Sequence, residues 1–117
     1  MENKRLRIGI TQGDINGVGY EVILKTFDNP AMLELCTPII YGSPKVITYH
    51  RKALGMDTTF SIINSASEAS NGRINVVNCN DDEVKVELGK PSREAGKAAF
   101  EALEKAMMEY KEGLYDV

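Results

Sequence analysis

With 117 residues, the chain has room for one small domain and not for two. Its hydrophobic content of 43% and charged content of 26% are those of an ordinary globular protein. Fourteen basic residues against seventeen acidic ones leave a net charge of −3 without blocks, so no basic stripe is available to recruit nucleic acid. No apolar run approaches the roughly 20 residues of a membrane span. Charges and Gly13 interrupt the N-terminus before a signal-type apolar segment could form. Cys36 and Cys79 match no metal or redox spacing; they read as small buried hydrophobes in a reducing compartment, with the cytoplasm as the default.

Lys4, Arg5 and Arg7 read as a solvated lead-in to a short apolar strand carrying Leu6, Ile8 and Ile10. Residues 11–21 break that strand at glycines and restart as a helix, with Val18, Val22, Ile23 and Phe27 in helical phase. Such a turn leaves free N–H groups at a positive helix end, a geometry that suits a phosphate or carboxylate. Glycine there lets the backbone turn tightly and approach a ligand without a Cβ in the way. The alternative is a tight β–α turn that meets no ligand. Asp14 either caps that turn or contacts a ligand. Glu21 falls in the first helical turn, where its charge favours the helix dipole.

Asp28-Asn29-Pro30 is a breaker, and residues 31–36 have room for one or two helical turns. Residues 38–41 form a short apolar strand closed by Gly42. Ser43-Pro44 then supplies an N-cap and a first-turn proline for a helix running to about Leu54, with Gly55 as its cap. Strands are expected over 60–64 and 74–78, with a polar surface loop of small residues over 65–72 between them. Residues 84–88 alternate strictly, as at a sheet edge or in a hairpin. A last helix over 92–112 carries a stripe of Ala95, Ala99, Ala102, Leu103, Ala106 and Tyr110, and Gly113 caps it. Residues 114–117 read as the opening of another strand, which makes the chain the N-terminal portion of a longer protein. The alternation predicts an α/β fold, a three-layer mixed sheet with helices on both faces.

Known nucleotide loops fit imperfectly. A P-loop needs Gly-Lys-Ser/Thr where this chain has Gly19-Tyr20-Glu21, and is excluded. A dinucleotide fingerprint needs a third glycine where Val22 stands, and an acid after the second strand, where the chain reads Tyr41-Gly42-Ser43. The glycine spacing also resembles short-chain dehydrogenases, yet the one Tyr-x-x-x-Lys pair, Tyr41 to Lys45, comes far too early. His50 is the single histidine and, flanked by Arg51 and Lys52, reads as a surface or structural residue. The sequence offers no catalytic constellation and no metal-ligating cluster.

Residues 7–21, Arg-Ile-Gly-Ile-Thr-Gln-Gly-Asp-Ile-Asn-Gly-Val-Gly-Tyr-Glu, resemble the opening of the 4-hydroxythreonine-4-phosphate dehydrogenase family, PdxA. That family follows its first strand with Thr-Pro-Gly-Asp/Glu-Pro-Ala-Gly-Ile-Gly-Pro-Glu. Thr11, Gly13, Asp14, Gly17, Gly19 and Glu21 match it, whereas Gln12, Ile15, Asn16 and Tyr20 depart from it. Tyr41-Gly42-Ser43 leading into the His50 helix is similar to the family's second strand and helix. Gly89-Lys90-Pro91-Ser92 with Gly96, the alanine-rich helix and Gly113-Leu114-Tyr115-Asp116 match its next landmark.

The resemblance implies an oxidative decarboxylation that uses NAD and a divalent metal (Zn, Mg or Co), acting on a small phosphorylated hydroxy amino acid. It implies part of an isocitrate/isopropylmalate dehydrogenase-like fold, a homodimer, and metal-binding histidines beyond residue 117, so that the chain alone is inactive and holds neither group. It makes Gly13, Asp14, Gly17 and Gly19 the candidate cofactor-binding residues, as a glycine loop on the cleft wall, and assigns no catalytic residue here. A related dehydrogenase of four-carbon sugar-acid phosphates, or a non-enzymatic receiver-like phosphate-binding module, are the alternatives.

Overall fold

The structure is a computed structural model that describes residues 6–12, 19–79 and 93–117. Its strands are β1 (Leu6–Thr11), β2 (Cys36–Gly42), β3 (Phe60–Ile63) and β4 (Ile74–Asn78), and its helices α1 (Gly19–Phe27), α2 (Pro30–Leu35), α3 (Pro44–Ala53) and α4 (Arg93–Lys111). The strands lie side by side in the order β1-β2-β4-β3, and every described pairing is parallel. Ile8 stands opposite Pro38, and Val76 stands between Ile40 and Ile62. The strand expected over 84–88, whose direction would decide whether the sheet is mixed, lies outside the described residues. No described helix is long and apolar enough to cross a membrane.

Local chemistry sets most boundaries. Asn29 accepts from the Ala31 N–H at 3.0 Å ahead of α2, and Ser43 accepts from the Val46 N–H at 3.3 Å ahead of α3; each helix opens on a proline. Gly113 takes a φ of 76° just past α4, the left-handed cap that favours glycine. β2 starts at Cys36, two residues before the apolar run, because Cys36 and Thr37 pair with Leu6 and Arg7.

β2 is buried along its whole length, as befits a central parallel strand covered on both faces. Its alternate residues feed two cores. Cys36 and Ile40 pack with Ile74 and Val76 against Tyr20, Leu24 and Phe27 of α1 and Val46 and Ile47 of α3. Ile39 and Tyr41 pack with Val77 against Ala102 and Ala106 of α4 and against Ala66.

Two expectations need correction. The buried stripe of α4 is Ala98, Ala102, Ala106 and Glu109, whereas Leu103 and Tyr110, expected to face inward, are 46% and 55% exposed. The helix is rotated so that alanines meet the sheet closely and the large side chains sit on the flank. Ala99 is only half-buried, and the Ala95 side chain lies outside the described residues. The segment expected as a polar surface loop holds a 3₁₀ turn, Ala66–Glu68, closed by a capping box between Ser65 and Glu68, and Ala66 is fully buried.

The residues after α4 do return to the sheet. The Gly9 N–H donates to the Val117 carbonyl at 2.8 Å and the Val117 N–H to the Arg7 carbonyl at 3.4 Å, the pattern of a parallel pair with Val117 opposite Ile8. The Asp116 carboxylate accepts from the Arg7 N–H at 2.8 Å. Gly9 makes room for this: a Cβ there would overlap the Tyr115 ring.

Candidate functional site

β1 sits where the chain changes direction. From β1 the chain moves toward β2 through α1 and α2 on one face, while α4 crosses the other face and brings Val117 to the free edge of β1. In open parallel sheets, ligands bind beyond the carboxyl ends of the strands at such a reversal. Thr11 at the end of β1 and Gly19 at the start of α1 lie there. Of the four candidate residues, Gly13, Asp14 and Gly17 lie outside the described residues. Gly19 opens α1, where a Cβ would stand 3.1 Å from the Gln12 carbonyl oxygen, so the end of β1 and the start of α1 touch.

A buried polar cluster surrounds this junction. The Tyr20 hydroxyl donates to Gln12 Oε1 at 2.5 Å and accepts from the Ser43 N–H at 3.4 Å. Gln12 Nε2 donates to the Ala98 carbonyl at 3.2 Å, and the Gln12 N–H to the Tyr41 carbonyl at 3.0 Å. Tyr20 is fully buried and Gln12 is 1% exposed, and burial pushes the Tyr20 phenol well above its ordinary range. His50 stacks on Tyr20 with ring centroids 5.2 Å apart, which makes it a core residue. Glu21 pairs with Lys25 at 2.7 Å on the outside of α1, in keeping with a helix-turn role.

Sequence reasoning flagged Gln12 and Tyr20 only as departures from a pattern. Their partnership spans eight positions and joins two residue types that ordinarily read as exposed or half-exposed. A second buried pair, Tyr41 and Glu109, had no local signal at all. Among the described residues no three His, Cys, Asp or Glu side chains gather as a metal would require. At the end of β2, Ser43 is occupied in capping α3 and no carboxylate waits for a ribose. Both cysteines are free thiols. Burial pushes both upward in pKa, Cys79 to about 12, so neither is an activated nucleophile.

Fold and site thus define a parallel α/β domain in which β1 meets α1 at the point where the helices change faces. The family described as pyridoxal phosphate biosynthetic protein PdxA matches residues 34–117, and the chain belongs to that family. It is 72% identical, over all of its 117 residues, to 32% of a 4-hydroxythreonine-4-phosphate dehydrogenase of Bacteroides thetaiotaomicron. It is 35% identical, over 99% of its length, to 36% of a candidate D-threonate 4-phosphate dehydrogenase of Clostridium botulinum. The crystal structure of a 4-hydroxythreonine-4-phosphate dehydrogenase from Burkholderia phymatum superposes with a TM-score of 0.85 at 30% identity, covering 97% of this chain and 35% of that one. The chain therefore spans about a third of the length of the curated relatives it matches.

Proposed function

We propose that the chain forms the N-terminal part of an NAD- and divalent-metal-dependent 4-hydroxythreonine-4-phosphate dehydrogenase, which oxidises and decarboxylates 4-phosphohydroxy-L-threonine in pyridoxal phosphate biosynthesis. The observation that carries this reading is the 72% identity, over the whole of this chain, to a relative of that name. The reading extends to a three-layer, isocitrate/isopropylmalate dehydrogenase-like fold, to a homodimer and to the cytoplasm.

The described residues do not fit the metal or the dinucleotide by themselves. They gather no donor set, and β2 ends without a ribose-binding carboxylate. In this reading the chain's own part is to present the 13–19 glycine loop from a rigid strand end, where backbone N–H groups meet an anionic ligand group. The 35% identity to the Clostridium botulinum protein supports a second reading, a dehydrogenase of four-carbon sugar-acid phosphates. Nothing in the site favours a receiver-like module, which needs clustered acids where β1 ends in Thr11-Gln12.

NADH formation by the full-length protein carrying this sequence tests the reading. With Zn²⁺, Mg²⁺ or Co²⁺ added, turnover of 4-phosphohydroxy-L-threonine is expected to exceed that of D-threonate 4-phosphate. The reverse preference supports the second reading, and no turnover of either substrate contradicts both.

A further inference from the structure

We propose that Gln12 and Tyr20 form a positioning clamp for the β1–α1 loop. Their hydrogen bond ties the first residue beyond β1 to the first turn of α1 and sets the gap that residues 13–18 bridge. The loop's importance to a ligand rests on the function proposed above; the clamp itself rests on geometry. Tyr20 Oη and Gln12 Oε1 are 2.5 Å apart, and both side chains are shielded from water.

The clamp is anchored on four sides. Gln12 Nε2 reaches the Ala98 carbonyl of α4, its N–H reaches the Tyr41 carbonyl of β2, the Tyr20 hydroxyl receives the Ser43 N–H at the start of α3, and the Tyr20 ring lies on His50. The amide oxygen of Gln12 accepts while its nitrogen donates, and the Tyr20 phenol both donates and accepts, so each side chain links two elements. Gly42 is the third member. A Cβ there would overlap the Tyr20 hydroxyl and approach Gln12 Oε1 at 2.7 Å, so the clamp requires glycine in β2 at that level. Gln12 and Tyr20 are also two of the positions at which the chain departs from the proline-bearing form of the family loop. Both departures meet in one hydrogen bond.

Amide hydrogen exchange of the full-length protein and of its Tyr20→Phe, Gln12→Leu and doubly substituted variants tests the clamp. Each single variant is expected to speed exchange across 13–18 by about tenfold, with β2 and β4 changing far less. The double variant should exchange faster than either single but by less than the product of their two effects, because the shared bond is lost only once while the Ala98 and Ser43 bonds are lost separately. Loop exchange that is unchanged, or that rises only in step with β2 and β4, overturns the clamp. Steady-state kinetics on the same variants separates the two ideas. A raised KM for NAD or substrate with kcat held supports the clamp as a positioning device. A loosened loop with unchanged kinetics upholds the clamp and contradicts the loop's ligand role.

Discussion

The Tyr41 hydroxyl donates to Glu109 Oε1 at 2.7 Å, and the Ala66 N–H donates to the same oxygen at 2.9 Å. One carboxylate on α4 therefore joins the central strand to the 3₁₀ turn after β3, in a place where all three residues are buried. Lys105, one helical turn earlier, stands 3.6 Å from the other carboxylate oxygen, and the Arg7 guanidinium reaches the Ala66 carbonyl. Strand, turn and helix share one polar joint.

Glu109→Ala leaves the Tyr41 hydroxyl and the Ala66 N–H buried without their acceptor. Each such orphan costs about 1–3 kcal/mol, so a loss of roughly 2–6 kcal/mol is expected in urea unfolding. Glu109→Gln keeps one acceptor oxygen and should cost less. Equal stability of the alanine variant and the parent would show that the joint contributes nothing.

The same carboxyl links stability to pH. Burial raises its pKa, but the Ala66 N–H, the Tyr41 and Ser65 side chains and the Lys105 charge outweigh burial and leave it below the ordinary carboxylate value. With the folded value depressed, its contribution is present above about pH 5 and is lost as the pH falls through the folded value. The urea midpoint of the parent should therefore fall more steeply from pH 5 to pH 3 than that of Glu109→Gln. Parallel curves would contradict the linkage.

Gly9→Ala pushes a methyl group into the Tyr115 ring, whose hydroxyl donates to the Ala106 carbonyl at 2.6 Å. Overpacking of this kind costs about 1–3 kcal/mol. The cost should shrink in a Tyr115→Ala background, where the ring is gone, so the double variant should be less destabilised than the sum of the singles. Simple additivity in thermal melts would place the ring elsewhere.

The parts of the fold that could be read from the sequence are those with local causes. Ser43-Pro44 marks the start of α3 because a hydroxyl three residues before a free N–H is a local device. β2 and β4 could be read as strands because Ile39, Ile40, Val76 and Val77 make short β-branched runs, as strands buried on both faces require. What escaped depends on distant partners. Ala66 sits in a segment rich in small polar residues, and its burial depends on partners far away in sequence: the Glu109 carboxylate, Arg7 and the Ile39–Tyr41–Val77 core. The phase of α4 escaped because its alanines and its larger apolar residues each form a plausible stripe, and the approach distance to the sheet chooses between them. Gln12 and Tyr20 escaped because neither has meaning without the other. Three of the four loop residues named from sequence, Gly13, Asp14 and Gly17, lie outside the described residues.

Cys79 offers a check on the site's electrostatics. Burial, with Glu109 and Glu101 nearby, outweighs Lys105 and the Gly42 backbone bond and pushes its thiol to about 12. At pH 8 almost none of it is thiolate. Alkylation of Cys79 by iodoacetamide in the folded protein should be at least about a hundredfold slower than that of free cysteine. A rate near the free value would contradict the raised thiol pKa of Cys79.

The most direct test of the account is Gly17→Val in the full-length protein, measuring NAD and substrate affinity beside Tm. A side chain in a loop that works through its backbone blocks approach of a ligand more than it disturbs the two cores. Affinity for NAD or for 4-phosphohydroxy-L-threonine is expected to fall at least about tenfold while Tm stays within a few degrees. Unchanged affinity with a large fall in Tm would show that the glycine loop is a structural turn and would contradict the proposed site.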